Sequence, residues 1–254
     1  MAVIDFHTHV LPGIDDGSRH ALESLDMLKL EAEQGIDIVV ATSHFYAKHD
    51  RISSFLNRRQ DSFETLQRTI SQEYTYSDSK STEQSHKDLP RIYLGAEVAF
   101  FDGISRADDI HKLTVEGTNL FLLEMPFGRW TSGNMEEVRY LVHHSGLQIM
   151  LAHLERFLLV PENKKKIYEL LELPCILQVN AGSMLKWKIR GQSLKLFKTK
   201  GSGILASDAH GTDYRAPNLA AGREVLAKKL GQTYLDEMDR LGTELLANAT
   251  EPAV

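Results

Sequence analysis

Val3-Ile-Asp-Phe-His-Thr-His9 is a short, β-rich apolar run that ends in two histidines spaced i, i+2. On a strand, that spacing puts both imidazoles on one face. The same unit, an apolar run closed by a polar or metal-ligating residue, recurs along the chain. After Val3–His7 come Asp37–Ser43, Arg91–Val98, Leu120–Met125, Gln148–His153, Cys175–Asn180 and Gly203–Asp208. Between the runs lie amphipathic stretches at Ala21–Gln34, Ile52–Ser71, Asn134–His144, Glu162–Leu171 and Gln192–Thr199, and two more, about Ala216–Leu230 and Tyr234–Leu246, close the chain. Strand-like and helix-like segments in alternation predict parallel βα units, and 254 residues accommodate seven of them in one α/β barrel. Gln72–Asp88 is polar, Ser/Thr-rich and nearly free of aliphatic residues, which predicts a surface excursion rather than a domain boundary. Residues 1–254 are therefore expected to form a single barrel domain.

The carboxyl ends of the expected strands carry His7 and His9, then His44, Glu97, Glu124, His153, Asn180, and finally Asp208 and His210. In a βα barrel these ends share one face, so residues remote in sequence converge there. Taken singly, each has a bland explanation. An H-x-H pair or a lone histidine is as readily structural, His153 could cap a helix, and a carboxylate ending an apolar strand could sit in a buried ion pair. Seven or more such groups at one barrel mouth by chance is a poor explanation. Asp16, from the glycine-flanked turn Gly13-Ile-Asp-Asp-Gly17, brings the set to five histidines and four carboxylates. That is enough for two or three ions, and imidazole with carboxylate and no thiolate suits Mn, Fe or Zn, with Mg less favoured. Several divalent ions leave a net positive centre suited to a phosphomonoester dianion. Arg156 and Arg215 stand beside ligand motifs, where guanidinium forks could hold phosphoryl oxygens. Aromatic residues follow the same strand ends: Phe45, Tyr46, Phe100, Phe101, Phe127, Trp130 and Phe157. They could frame an aromatic ring over the metals, or pack the rim.

Composition removes several classes of function. A formal net charge of -6 argues against a partner held mainly through phosphate-backbone electrostatics. The single cysteine, Cys175, cannot form an internal bridge and suits a reducing compartment. A thiol-based tyrosine phosphatase would need Cys-x5-Arg, yet six residues after Cys175 stands Ala181. No Walker A sequence is present. An acid at Asp5 interrupts what a signal peptide would need as its apolar stretch, and no run approaches the roughly 18 residues of a membrane span. A cytoplasmic location is expected.

With these motifs the sequence resembles the polymerase-and-histidinol-phosphatase (PHP) family of metal-dependent phosphoesterases, and within it the bacterial protein tyrosine phosphatases of capsular and exopolysaccharide operons. The residues that carry the resemblance are Asp5-Phe-His-Thr-His9 with Leu11-Pro-Gly-Ile-Asp-Asp-Gly17, Ala41-Thr-Ser-His44, Gly95-Ala-Glu97, Leu123-Glu-Met125, Ala152-His-Leu-Glu-Arg156, Gln178-Val-Asn-Ala-Gly-Ser183 and Ala206-Ser-Asp-Ala-His210. The resemblance implies a distorted seven-stranded barrel with a trinuclear centre, usually manganese. It assigns His7, His9, Glu97 and Asp208 to one ion, Glu97, Glu124 and His153 to a second, and Asp16, His44 and His210 to a third. Arg156 and Arg215 would hold phosphate. The implied substrate is a phosphotyrosine protein, typically the tyrosine-rich tail of a bacterial tyrosine autokinase that controls polysaccharide export. Alternatives within the family are a small-molecule phosphatase acting on a histidinol-phosphate-like ester and a phosphodiesterase. From other classes, an amidohydrolase or a phosphotyrosine-binding module without turnover would fit less of the ligand set.

Overall fold

The computed structural model describes residues 1–78, 89–247 and 249. Nine strands form among these residues: β1 (Ile4–Thr8), β2 (Ile38–Ala41), β3 (His44–Phe45), β4 (Arg91–Leu94), β5 (Glu97–Ala99), β6 (Leu120–Glu124), β7 (Gln148–Leu151), β8 (Ile176–Asn180) and β9 (Ile204–Ala206). Every pairing between them is parallel. β1, β2, β6 and β9 are buried along their whole length, the condition of parallel strands covered on both faces, and it explains why they read as near-continuous apolar runs.

Each expected strand position carries strand, but two of them break. The second stops at Ala41, with Thr42 and Ser43 separating β2 from a short β3 beyond the expected end, and the third divides into β4 and β5 at Gly95 and Ala96. Hydrogen bonding consequently gives a mixed α/β fold with two parallel sheets, ordered β1-β2-β4 and β3-β5-β6-β7-β8-β9, rather than one closed seven-stranded ring among the described residues. The breaks act as bulges. Thr42 and Ser43 both offer their carbonyls to the Glu97 N–H, so the ladder is rearranged where His44 and Glu97 leave it. The sheet edges β1 and β9 meet through an isolated parallel bridge, Thr8 to Ala209, with the Asp208 N–H donating to the His7 carbonyl at 2.8 Å.

Eight α-helices among the described residues surround the strands: α1 (Ala21–Glu33), α2 (Ile52–Asp78), α3 (Ser132–His144), α4 (Lys164–Leu171), α5 (Ala181–Leu185), α6 (Trp187–Lys200), α7 (Leu219–Leu230) and α8 (Gln232–Leu245). The start of α1 is set by His20, whose Nδ1 accepts from the Glu23 N–H at 3.2 Å. α3 starts at a reciprocal capping box between Thr131 and Asn134. Two expectations shift. Gln72–Asp78, predicted to be part of a surface excursion, continues α2, while residues 79–88 of that stretch lie outside the described residues. Gln, Glu, Tyr and Ser are adequate helix formers, so a polar composition alone does not stop a helix already nucleated by the buried Phe55, Phe63 and Leu66. The helix expected at Gln192–Thr199 starts earlier, at Trp187, and is preceded by the short α5. α5 is packed against α7 so closely that a Cβ on Gly222 would lie 2.7 Å from that of Ala181.

Candidate metal centre

The nine expected ligands and both arginines meet at the carboxyl ends of the strands. His7 and His9 leave the end of β1, and their Nε2 atoms face each other at 3.2 Å. Glu97 is completely buried at the start of β5, with Oε2 3.2 Å from His7 Nε2, 3.3 Å from His9 Nε2 and 3.0 Å from His44 Nδ1. Its other oxygen lies 2.8 Å from His153 Nε2, which is 3.3 Å from Glu124 at the end of β6. Asp208 Oδ1 stands 3.5 and 3.6 Å from the Nε2 atoms of His7 and His9. Asp16 closes the group on the solvent side, 3.4 Å from His44 and 3.6 Å from His210.

The grouping by donor distance differs in detail from the one the resemblance implies. His9 joins Asp16, His44 and His210, and His44 joins Glu97 and Glu124. Arg156 and Arg215 both lie on Asp208, at 2.7 and 2.5 Å from its two oxygens.

Local backbone is bent to make this arrangement. Four non-glycine residues have positive φ among the described residues, and three of them are His153 (30°), Asp208 (54°) and Arg215 (53°). Such conformations cost energy and persist only where the surroundings hold them. His153 occupies the N-cap position of the 3-10 turn Leu154–Leu159, but its side chain makes no capping bond. It turns to Glu97 instead, which excludes the capping role. Gly17 cannot be another residue without displacement, because a Cβ there would stand 2.3 Å from the His9 carbonyl oxygen. That close approach lays the Gly13–Gly17 turn against the histidine.

The donor chemistry fits cations. His7 donates from Nδ1 to Gln178 Oε1 at 3.2 Å, and His9 from Nδ1 to Asp15 Oδ2 at 2.8 Å. In those tautomers both Nε2 atoms are lone-pair acceptors, aimed at each other and at the oxygens of Glu97 and Asp208. His210 donates from Nδ1 to the Asp208 carbonyl at 3.1 Å, leaving its Nε2 as an acceptor too. Buried Glu97 Oε2, His44 Nδ1, His153 Nδ1 and His210 Nε2 have no hydrogen-bond partner. Carboxylate oxygens and imidazole lone pairs held this close together are complementary to positive charge between them.

Protons answer the same demand. Burial pulls His9 down, but the charge and hydrogen bond of Asp15, with Glu97, carry it up to about 10. Burial likewise opposes His153, which hydrogen bonds accepted by Glu124 and Glu97 raise to about 9. Glu97 falls well below the usual carboxylate range, because His7 together with His153 and His44 outweighs its burial. Divalent ions would satisfy these oxygens and nitrogens without protonating the ligands.

Several residues of the centre were not among the expected ligands. Asp15, adjacent to Asp16, holds the His9 ring and also accepts the His44 N–H at 2.9 Å. Gln178 on β8 accepts from both the His7 ring and the His153 N–H, the latter at 2.6 Å. Asn180 donates to Asp208 at 2.6 Å and accepts from Gln178 at 2.9 Å. Glu155 is fully enclosed, its pKa pushed up to about 7 by burial, and it accepts from the Asn180 N–H at 3.1 Å. Asp5 ties the two sheet edges together, accepting from the His7 and Ser207 N–H groups at 3.1 Å. The Asp-Asp turn and the polar end of β8 were visible signals. Which oxygen meets which ring was not.

Comparison with known proteins places these features in a wider set. The family model described as capsular polysaccharide synthesis, CpsB/CapC, matches residues 3–246. The chain is 27% identical to the tyrosine-protein phosphatase CpsB of Streptococcus pneumoniae over 253 residues, covering 93% of this chain and 94% of that protein. It is 26% identical to the tyrosine-protein phosphatase YwqE of Bacillus subtilis (strain 168), over 98% of this chain and 93% of that protein. A crystal structure from the work on YwqE of Bacillus subtilis and CpsB of Streptococcus pneumoniae, described as unique metal-dependent tyrosine phosphatases, superposes with a TM-score of 0.79 at 23% identity, covering 98% of this chain and 96% of that one. At that identity the superposition establishes a shared fold.

Proposed function

The chain belongs to the capsular polysaccharide synthesis family CpsB/CapC, and we propose that it is a metal-dependent protein tyrosine phosphatase that hydrolyses phosphotyrosine monoesters. The observation that carries this reading is the connected set of nine His, Asp and Glu donors, neighbouring donors 2.8 to 3.6 Å apart, with two arginines on one of its carboxylates. We assign His7, His9, Glu97 and Asp208 to one ion, Glu97, Glu124 and His153 to a second, and Asp16, His44 and His210 to a third, with manganese as the metal and Fe, Zn or Mg as its competitors. When bound, the ions supply activated water and neutralise charge on the phosphoryl group.

The chain's own residues supply the rest. Gln178 and Asp15 fix the tautomers of His7 and His9, so that ligand lone pairs point into the centre. Asp208 offers its oxygens either to the arginines or to a cation. With Asp208 engaged by a cation, the Arg156 and Arg215 forks would be available to the non-bridging oxygens of a dianionic phosphate. The tyrosyl leaving group has a conjugate-acid pKa near 10, which lessens the need for a strong general acid.

We assign residues 1–254 to one catalytic domain, a distorted seven-stranded barrel. Support comes from strand at each expected position and from the Thr8–Ala209 bridge joining the outer strands. Among the described residues no helix is long and apolar enough to cross a membrane. The substrate we assign is the tyrosine-rich tail of a bacterial tyrosine autokinase that controls polysaccharide export, met in the cytoplasm.

Phosphate release from a phosphotyrosine peptide and a matched phosphoserine peptide tests the function, with chelator-stripped protein and with Mn, Fe, Zn or Mg restored. Metal-restored release from phosphotyrosine, with little from phosphoserine, is the expected result. No release from either peptide under any metal would overturn it and turn attention to small phosphoesters.

A further inference from the structure

Two exposed aromatic residues stand at the centre. Phe127 is 64% exposed and Tyr46 is 41% exposed. Phe127 stacks on His153 at 19° with centroids 6.5 Å apart, and Tyr46 lies on His44 at 31° and 5.1 Å. His153 and His44 approach the two different oxygens of Glu97, at 2.8 and 3.0 Å. The rings therefore flank the centre, with a single carboxylate between the ligands on which they rest.

Exposure of Phe127 is not the accident of a loose loop. Trp130 is buried, and its Nε1–H donates to the Pro126 carbonyl at 2.8 Å. Its backbone N–H donates to Asn163 Oδ1 at 2.8 Å, and the Asn163 amide donates to the Gly128 carbonyl at 2.9 Å. The buried Phe157 ring packs between Trp130, at 5.3 Å, and Phe127, at 5.8 Å. Anchors on both sides thus hold an apolar ring in water beside a ligand histidine. A ring kept in that position is complementary to an apolar ring that arrives with the substrate. Tyr46 stands on the other flank, its ring against His44 rather than His153.

We propose that Phe127 and Tyr46 are specificity-determining residues, walls that receive the phenyl ring of a phosphotyrosyl group and select aryl over alkyl phosphomonoesters. The assignment rests on the phosphotyrosine reading of the centre. A phosphoseryl group carries its phosphate one methylene from the backbone and offers the rings no surface to cover. Stacking and edge contacts between rings then stabilise the aryl ester alone.

The test uses the manganese-loaded full chain and its variants Phe127→Ala, Phe127→Leu, Tyr46→Ala and Tyr46→Phe. Three quantities are compared: kcat/KM on matched phosphotyrosine and phosphoserine peptides, inhibition by inorganic phosphate, and affinity for a non-hydrolysable phosphonomethyl-phenylalanine peptide. Phe127→Ala and Tyr46→Ala should each lower kcat/KM on phosphotyrosine about 10-fold, chiefly through KM, and weaken the phosphonate peptide by a similar factor. Phosphoserine turnover and phosphate inhibition should stay unchanged. Phe127→Leu should recover part of the loss by restoring apolar surface, and Tyr46→Phe most of it, because the ring is the wall. Equal losses on both peptides, or unaltered phosphonate affinity in both alanine variants, would overturn the assignment. Absence of phosphotyrosine turnover in the unsubstituted protein would overturn the phosphatase reading instead, and the phosphonate affinities would still decide whether the rings bind an aryl group.

Discussion

Asp208 lies within reach of three of the proposed ligand histidines and carries two guanidiniums, so substitutions around it separate metal binding from phosphate binding. His9→Ala and Asp208→Ala should each lower metal content and abolish turnover, as read by elemental analysis alongside phosphate release. Arg156→Ala should retain the metals and lose about 100-fold in kcat/KM, the scale of one charge-assisted contact made to a transition state. Wild-type kinetics in Arg156→Ala would remove that arginine from the reaction. Gln178→Leu touches no proposed ion, yet it frees the His7 ring to change tautomer. Metal affinity should fall about 10- to 100-fold in a chelator competition. The proposed ligands were legible as candidates because most of them follow apolar runs, and Asp16 because glycines flank its turn. The role of Gln178 was not, since its partner ring is 171 positions away, and a glutamine within a strand advertises no chemistry. Asp15 and Asp16 were indistinguishable as letters, and only the path of the turn sends one to the His9 ring and the other to His44.

Among the elements, the Gly13–Gly17 turn bears most directly on the centre. Gly17→Ala would set a methyl group 2.3 Å from backbone that cannot retreat without moving His9. A loss of about 1–3 kcal/mol is expected, seen as a lower Tm in the chelated protein together with weaker metal binding. An unchanged Tm would mean that the turn yields more freely than its packing indicates. Alternation of apolar and amphipathic segments made the strands and most helices readable, since both periods are local properties of the chain. The interruptions between β2 and β3 and between β4 and β5 were unreadable. Thr42, Ser43, Gly95 and Ala96 are compatible with a continuous strand, and the break comes from pairing, where the Glu97 N–H is shared between two carbonyls of the neighbouring strand. The extension of α2 to Asp78 belongs with these, because polar sequence is shared by loops and exposed helices.

Across the whole molecule, stability is linked to cations and to pH. Ions bound only by the folded centre should raise Tm, and at 100 times the dissociation constant one site adds about 2.7 kcal/mol, or about 5–10 °C for a chain of this size. Calorimetry with chelator and then with added manganese reads this directly. Glu31 of α1 is 1% exposed, neither of its oxygens meets a hydrogen-bond donor, and burial with the nearby Asp5 charge raises its pKa well above the ordinary 4.5. As pH rises through that window the unfolded chain releases the proton first, so the folded state loses stability. Glu31→Gln should abolish this contribution, and in chelated protein its urea midpoint should gain on that of the unsubstituted chain as pH rises above the ordinary 4.5 of the unfolded carboxyl, by at most about 1.4 kcal/mol per pH unit. Parallel pH profiles would show that Glu31 does not titrate in this range. By itself the sequence determined the α/β class, the strand positions and the chemistry of the donors, because strand and helix periods and residue type are written locally. Tertiary structure alone decided which donors share an oxygen, which tautomers the histidines hold, and that Asp5 clamps Ser207 from 202 positions away. Those outcomes depend on strand register and side-chain direction, which arise only when distant segments pack together.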